Sequence, residues 1–458
     1  MKLDKLKNKR VLVVGLGVTG ESVVRYLYKH AVSFDVVDEK TQPSDDLLRL
    51  MPQATVHKQL NADICNSYEV IVLSPGIPRA LPAIQAAIEN GAQVIGDIEL
   101  FADAIGDTPV IAVTGSNGKS TVVSWVAHVL HSCGKQARLC GNIGLPALDS
   151  IDDNAQLYVL ELSSYQLEST HSLKALSATV LNVSDDHMDR YDSIEHYAQV
   201  KRHVYQGCEY AVINRDDKRT WTSLPTECVR TFSLQDKPLQ NKPVQTQSVQ
   251  TRIDADYHLQ QAANDGWLCR GEQKLMQCSQ LPLPGDHNVA NALAVLALLE
   301  PINLDLAVML QGLGEFKGLE HRTEYVAQIN DVRWYNDSKG TNIDACKKAV
   351  QAMNAPVVLI AGGMGKGADF NELRDVVEQR VKALVLIGED AEKIKSALLG
   401  AAPIVMASDL NDAVNQCDAL AERGDVVLLS PACSSFDMFA NFAERGRQFK
   451  QAVEAIAA

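Results

Sequence analysis

Short apolar runs alternate with longer amphipathic stretches over almost the whole chain, the signature of strand and helix in turn. Runs at 10–14, Phe34–Val37 and Val70–Leu73 predict strands of a first block, which closes near 95–97. Runs at 110–113, 157–162 and 179–183 predict strands of a second, and runs at 357–360, 383–387 and Val426–Leu429 predict strands of a third. Strands that alternate with helices imply α/β layers around largely parallel sheets. The expected blocks are 1–97, 98–318 and 319–458. Between 233 and 280 the pattern weakens and Gln, Lys and Pro accumulate. Loops and short antiparallel strands are expected there, followed by an apolar helix over 288–299.

One predicted helix carries an anomaly. Ile194, Tyr197, Lys201, Val204 and Cys208 step by three and four residues, so they share the apolar stripe of an amphipathic helix. Lys201 stands on that stripe, while Gln199 and Arg202 turn away. Burial lowers the pKa of an ammonium. A neutral amine can add CO₂ to give a carbamate, an anionic, carboxylate-like metal ligand. The other reading is a lysine whose stem packs and whose ammonium snorkels to water.

Composition adds little until charge is considered. The 458 residues, 46% hydrophobic and 22% charged, suit several ordinary cores. The net charge of −14 argues against a nucleic-acid protein, which needs a basic face. No apolar stretch reaches the ~20 residues of a membrane span. The N-terminal MKLDKLKNKR lacks the apolar core of a signal peptide. Ten scattered cysteines without a Cys-x-x-Cys pair read as reduced packing residues, as in a cytoplasmic protein.

Chemistry clusters where apolar runs end. TGSNGKST (114–121) lies between a strand and a helix pattern. Small residues let the backbone approach a phosphate chain, which N–H groups and the helix N-terminus then attract. Gly115, Ser116, Asn117 and Gly118 form the loop, Lys119 can reach terminal phosphates, and Ser120 can hold Mg²⁺. The spacing is shorter than in the usual phosphate loop, and the rival reading is a chance turn. GLGVTG (15–20) matches G-x-G-x-x-G, with Asp38 ending the next strand. It fits a nicotinamide or flavin dinucleotide, a UDP-sugar, or a tight turn with no ligand. Glu161 within an apolar strand is either a Mg²⁺ ligand or a strand-end carboxylate turned to water. His187 beside Asp185, Asp186 and Asp189 can bind a divalent ion or be structural. In the third block NDSKGTN (336–342), AGGMGKGADF (361–370) and LLSPACSSFDMF (428–439) are candidate ligand loops, with Arg322, Lys339 and Lys366 as local cations.

Together, TGSNGKST, LELSSYQLE, LNVSDDHMDRY, HNVANA, GLEHRTE, NDSKGTN and SPACSSFDMFANFAERG, in this order, resemble the Mur ligases of peptidoglycan synthesis. The resemblance covers nearly the whole chain, and GLGVTG, SPGIP (74–78) and GDIELF (96–101) resemble the branch that adds D-glutamate. It implies a Rossmann-like N-terminal domain, a phosphate-loop ATPase-type central domain and a Rossmann-like C-terminal domain. It implies ATP-driven ligation of D-glutamate to UDP-N-acetylmuramoyl-L-alanine through an acyl phosphate, with two Mg²⁺ ions, by a cytoplasmic monomer. Lys119 is then expected to hold phosphates. Ser120, Thr121 and Glu161 would hold the first metal, and His187 with carbamylated Lys201 the second. Asn291, Arg322 and Asp337 would hold the adenine nucleotide. Val18, Thr19, Asp38, Lys40, Ser74 and Gly76 would hold UDP, and Asn142, Ser163 and Gln166 the muramoyl-alanine part. Lys339, Thr341, Lys366, Ser435, Phe436 and Phe442 would surround D-glutamate.

Two departures from the family stand out. Asp38 is followed by Glu39-Lys40 where relatives have Thr-Arg, so Lys40 replaces the arginine. The Gln-rich stretch near 236–250 is an insertion without a functional reading. The rival activities are another amide ligase, such as a sibling Mur ligase or folylpolyglutamate synthetase, and a dinucleotide-dependent oxidoreductase. No DNPR-type motif of the diaminopimelate-adding sibling is present.

Overall fold

The computed structural model describes residues 3–40, 43–188, 190–235, 256–262 and 265–457. The insertion near 236–250 and Asp189 lie outside the described residues. Three sheets account for the strands. The first contains β1 (Val11–Val14), β2 (Phe34–Val37), β3 (Val56–His57), β4 (Val70–Leu73) and β5 (Gln93–Ile95), all parallel, in the order β3-β2-β1-β4-β5. Its two faces bury alternate residues of the same strand, Val11 and Val13 on one side and Leu12 and Val14 on the other. A strand buried on both faces reads as a continuous apolar run, which is why its helical neighbours were legible and its facing was not.

The second sheet contains β6 (Val110–Thr114), β7 (Ala137–Gly141), β8 (Leu157–Glu161), β9 (Ser177–Val180), β10 (Tyr210–Asn214), β11 (Val229–Ser233), β12 (Tyr257–Gln260), β13 (Trp267–Arg270) and β14 (Gln273–Gln277). Their order is β14-β13-β12-β11-β10-β9-β6-β8-β7. The last three in sequence pair antiparallel, in the weakly patterned region. The third sheet contains β15 (Glu324–Ile329), β16 (Val332–Asn336), β17 (Val357–Gly362), β18 (Val381–Ile387), β19 (Ile404–Met406) and β20 (Val426–Leu429). Its order is β15-β16-β20-β17-β18-β19, parallel except for β15.

The chain divides into two compact units. One comprises 1–280 and 290–316, the other 281–289 and 317–458. The first unit holds both of the first two sheets, because one apolar core runs between them. Ile98, Leu100 and Phe101 of the helix Asp97–Ile105 lie in that core, and Phe101 meets Tyr158 of β8 edge-on at 5.0 Å between ring centres. In the second unit the sheet carries a separate apolar cluster on each face. Among the described residues no helix is long and apolar enough to cross a membrane.

The strand expected at 179–183 is shifted. β9 ends at Val180, and 181–184 leaves the sheet to clasp the loop 114–121. Asn182 accepts from the Asn117 N–H (2.9 Å) and donates to the Asn117 carbonyl (3.0 Å). The Ser184 N–H donates to Ser116 Oγ (3.0 Å). The loop's backbone needs these partners, and that demand overrides the apolar run.

Candidate functional site

In the first sheet the strand order reverses at β1, and the loops after β1, β2 and β4 open there into a cleft of ≈ 400 Å³. This is the topological position where open parallel sheets bind ligands. Val18, Thr19, Asp38, Ser74, Gly76, Asn142 and Gln166 line it, together with Pro75, Ile77 and Pro146. The glycines of GLGVTG are required by geometry. Gly15 has φ +90°, and a Cβ on Gly20 would stand 1.8 Å from the Gly15 carbonyl oxygen. Gly17 begins the helix Val18–Lys29 without a side-chain cap, so the N-terminal N–H groups are open to an anion. Asp38 accepts from the Leu16 N–H (2.6 Å) and the Lys40 N–H (2.8 Å), which fixes the glycine loop.

Two expected residues do not line this cleft. The side chain of Lys40 is exposed and only its backbone reaches Asp38. Ser163 caps the helix Ser164–Leu167, its hydroxyl accepting from the Gln166 N–H while Gln166 Oε1 accepts from the Ser163 N–H. That capping box holds the Gln166 side chain in place. Gln166 Nε2 in turn donates to the buried Asp97 (3.3 Å).

The second sheet supplies the loop 114–121 from the end of β6. Gly115 and Gly118 have φ +151° and +86°, and a Cβ on Gly118 would stand 2.7 Å from Asn291 Oδ1. The helix Lys119–Ser132 starts at Gly118 with no side-chain cap. Lys119 Nζ donates to the carbonyls of Gly115 (2.8 Å) and Ser116 (2.9 Å), so its ammonium lies over the loop. Ser120 and Thr121 are buried in the first helical turn.

Glu161 ends β8, paired in register with Val113 of β6 and Gly141 of β7. It is 2% exposed, so it does not turn to water. Oε1 accepts from Asn142 Nδ2 (2.8 Å), while Oε2 is buried with no hydrogen-bond partner. An unpartnered buried carboxylate oxygen is costly unless a cation meets it. Hard oxygen donors in small number suit Mg²⁺, which keeps waters and phosphate oxygens in its shell.

Lys201, near the end of the helix Ile194–Arg202, is 1% exposed and does not snorkel. Nζ donates to the Gly115 carbonyl (2.9 Å) and lies 4.3 Å from the centre of the Tyr197 ring. Burial pushes its pKa well below the ordinary lysine value, and Lys119 adds to this, while Asp186 and Glu161 oppose it. Arg202 turns away and pairs with Glu195. His187 has φ +59° and meets Tyr165 Oη through Nδ1 at 2.8 Å, with Asp186 3.7 Å from Nε2. Among the described residues no three His, Cys, Asp or Glu side chains converge into a metal cage.

In the second unit, the loops after β16, β17 and β20 come from three adjacent strands. Asp337 accepts from the Thr323 N–H (3.0 Å) and from Ser430 Oγ (2.7 Å). Burial pushes its carboxyl up to about 6, against the pull of these donors and of Arg322. Lys339 Nζ lies 3.8 Å from the centre of the Phe442 ring, and Lys366, at φ +51°, lies 5.9 Å from that of Phe436. Phe436 is 64% exposed and Ser435 is buried. Thr341 follows on the same loop as Lys339 and is half-buried. Arg445 is buried and joins two of these loops, donating to the carbonyls of Ser338 (2.8 Å) and Cys433 (3.2 Å).

Asp97, Tyr165, Glu168 and Arg190 were not singled out from the sequence, although each lies in a motif already noted. Their signal was a polar residue inside a motif, which acquires meaning only when its partner is known.

Comparison with known proteins agrees with this geometry. Family models match in order along the chain: the MurD-like N-terminal domain of Mur ligases at 9–96, the Mur ligase middle domain at 113–299, and the Mur ligase glutamate ligase domain at 321–433. The UDP-N-acetylmuramoylalanine–D-glutamate ligase of Nitrosococcus oceani is 43% identical over 97% of this chain and 96% of its own length. The enzyme of the same name from Methylobacillus flagellatus is 45% identical over 98% and 97%. Among solved structures, the UDP-N-acetylmuramate-alanine ligase of Thermotoga maritima shares the fold, with TM-score 0.60 at 18% identity over 98% of this chain and 100% of that one. End-to-end relatives at this identity leave one conclusion: the chain belongs to the Mur ligase family.

Proposed function

We propose that the chain joins the carboxylate of UDP-N-acetylmuramoyl-L-alanine to the amine of D-glutamate at the expense of ATP, as a cytoplasmic monomer serving peptidoglycan precursor synthesis. The observation that carries this reading is Asn142. Its residue lines the 400 Å³ cleft, and its side chain donates to Glu161 beside the loop 114–121. A nucleotide sugar held in that cleft reaches toward the phosphate-binding loop of the same unit.

In the first step a carboxylate oxygen of the substrate attacks the terminal phosphorus of ATP, and ADP leaves. In the second the D-glutamate nitrogen attacks the acyl carbon of the acyl phosphate, phosphate leaves, and the nitrogen loses a proton. Two anions must meet in the first step, so positioning and charge neutralisation dominate. Lys119 exchanges its two loop carbonyls for phosphate oxygens. N–H groups at the start of the helix Lys119–Ser132 would hold the phosphate chain, with Asn291 beside Gly118. Glu161 Oε2, with Ser120 and Thr121, would hold one Mg²⁺, and His187 with a carbamylated Lys201 a second. Bound Mg²⁺ supplies charge neutralisation at the transferring phosphoryl group. The amine of Lys201 would add to CO₂ with loss of one proton. Its burial and depressed pKa support that chemistry. In the second unit Arg322 and Asp337 would contact the adenine nucleotide. Lys339, Thr341, Lys366, Ser435, Phe436 and Phe442 would surround D-glutamate. Val18, Thr19, Asp38, Ser74 and Gly76 would contact UDP.

The test is phosphate release with each component omitted in turn. ATP, Mg²⁺, the nucleotide sugar and D-glutamate should all be required. Equal turnover with L-glutamate or diaminopimelate overturns the assignment.

A further inference from the structure

The Arg190 guanidinium, largely buried, donates in several directions. Nε and Nη2 grip the Glu168 carboxylate at 3.1 and 2.7 Å. Nη1 reaches the Pro75 carbonyl at 3.0 Å and Nη2 the Ile77 carbonyl at 3.4 Å. Pro75 and Ile77 both line the cleft. The SPGIP turn contains two prolines and few donors of its own, so its carbonyls need an outside partner. Cζ of Arg190 also lies 3.9 Å from the centre of the Tyr165 ring, and Tyr165 meets His187. The Arg190 N–H itself donates to the His187 carbonyl at 2.9 Å. Glu168 caps the C-terminus of the helix carrying Gln166, a further cleft residue, and accepts from Tyr191 Oη at 2.7 Å. Arg79, just past SPGIP, donates to the Glu168 carbonyl at 3.3 Å.

We propose that Arg190 is a positioning residue, a tie that sets the wall of the nucleotide-sugar cleft in register with the His187 loop. Only a planar fork can satisfy a carboxylate and two backbone carbonyls together; a lysine supplies one point charge. The tie lets the segment that carries His187 hold the turn that carries Ser74 and Gly76. Cleft geometry and ligation geometry are then set by one side chain. This rests on the reading of the cleft as the nucleotide-sugar site.

The experiment is calorimetric binding of UDP-N-acetylmuramoyl-L-alanine and, separately, of a non-hydrolysable ATP analogue to wild type, Arg190→Lys and Glu168→Gln. Arg230→Lys serves as the control, since Arg230 pairs with Glu300 away from the cleft residues. Loss of a buried charge-assisted fork should weaken nucleotide-sugar binding about tenfold or more in Arg190→Lys, with the ATP analogue within about twofold. Glu168→Gln should move the same way by less, and the double variant should lose less than the two single losses combined. Arg230→Lys should bind both ligands normally. Should Arg190→Lys fail to fold, Glu168→Gln alone decides by the same ratio. Equal binding by wild type and variants overturns the tie and leaves the cleft assignment standing. Parallel weakening of both ligands shows a merely structural arginine and also overturns it. Failure of wild type to bind the nucleotide sugar overturns the cleft assignment and the tie with it.

Discussion

Asp97→Asn should flatten the stability of the first unit between pH 4 and pH 8. Asp97 is 2% exposed, at the start of the helix Asp97–Ile105. Oδ2 accepts from Gln166, while Oδ1 is buried and has no hydrogen-bond partner. Burial pushes its carboxyl up to about 6 from an ordinary 3.8, and the Gln166 amide and the N–H groups of its own helix start only partly oppose this. A raised carboxyl ionises first in the unfolded chain. Stability is therefore fully present below about 3.8, falls as pH rises toward about 6, and stays at the lower value above that. The displacement corresponds to about 3 kcal/mol, as an order of magnitude. Asparagine keeps the volume and an acceptor for Gln166 but cannot ionise. Its own buried amide adds an offset that does not depend on pH. The quantity to measure is thus the difference in unfolding free energy between wild type and variant, at pH 4, 5, 6 and 8, by urea titration. Trp125, Trp221 and Trp267 all belong to the same unit as Asp97, so fluorescence weights that transition. Asp337, also raised to about 6, is present in both proteins and cancels. The difference should shift toward the variant by about 2 kcal/mol between pH 4 and pH 8, short of the full displacement because the unfolded carboxyl is already partly ionised at pH 4. Parallel curves would refute a raised Asp97 and with it the burial argument.

Lys119→Ala should lower ATP turnover by on the order of 10²-fold or more while nucleotide-sugar binding persists, as a phosphate-clamping cation is lost; a near-normal rate in a coupled assay would make the loop structural. Glu161→Gln keeps the hydrogen bond from Asn142 through its amide oxygen but puts an uncharged NH₂ in place of Oε2, so the Mg²⁺ concentration for half-maximal rate should rise about tenfold or more; an unchanged titration removes Glu161 from the metal. Lys201→Ala should be folded by circular dichroism yet nearly inactive, with part of the rate restored by small carboxylic acids that occupy the vacated space. A bare ammonium in active enzyme, by ¹³C-bicarbonate NMR, together with no acid rescue, would exclude the carbamate.

The alternation of apolar runs and amphipathic stretches was enough to read α/β layers, the three sheets and the loops that end β1, β6, β8, β16, β17 and β20. These features are short-ranged. A glycine at φ +90° beside a helix start, or a strand buried on both faces, imposes its residue type locally. Lys201 shows the limit. Its place on the apolar stripe left both burial and snorkelling open, and the answer came from Gly115, 86 residues away, accepting from its ammonium. β9 ended early for the same kind of reason: Asn182 and Ser184 were needed by Asn117 and Ser116 more than by the sheet. Asn142 could be suspected as a contact, but not as the residue that joins the cleft to Glu161. Nor could the pattern show that the first two blocks share one core, since periodicity reveals which face is buried and never what buries it. Arg190 is the extreme case, an ordinary arginine in a loop whose partners lie 22, 113 and 115 positions away. Periodicity and turn chemistry are written residue by residue along the chain; desolvation, unpartnered oxygens and guanidinium forks exist only once distant segments have packed together.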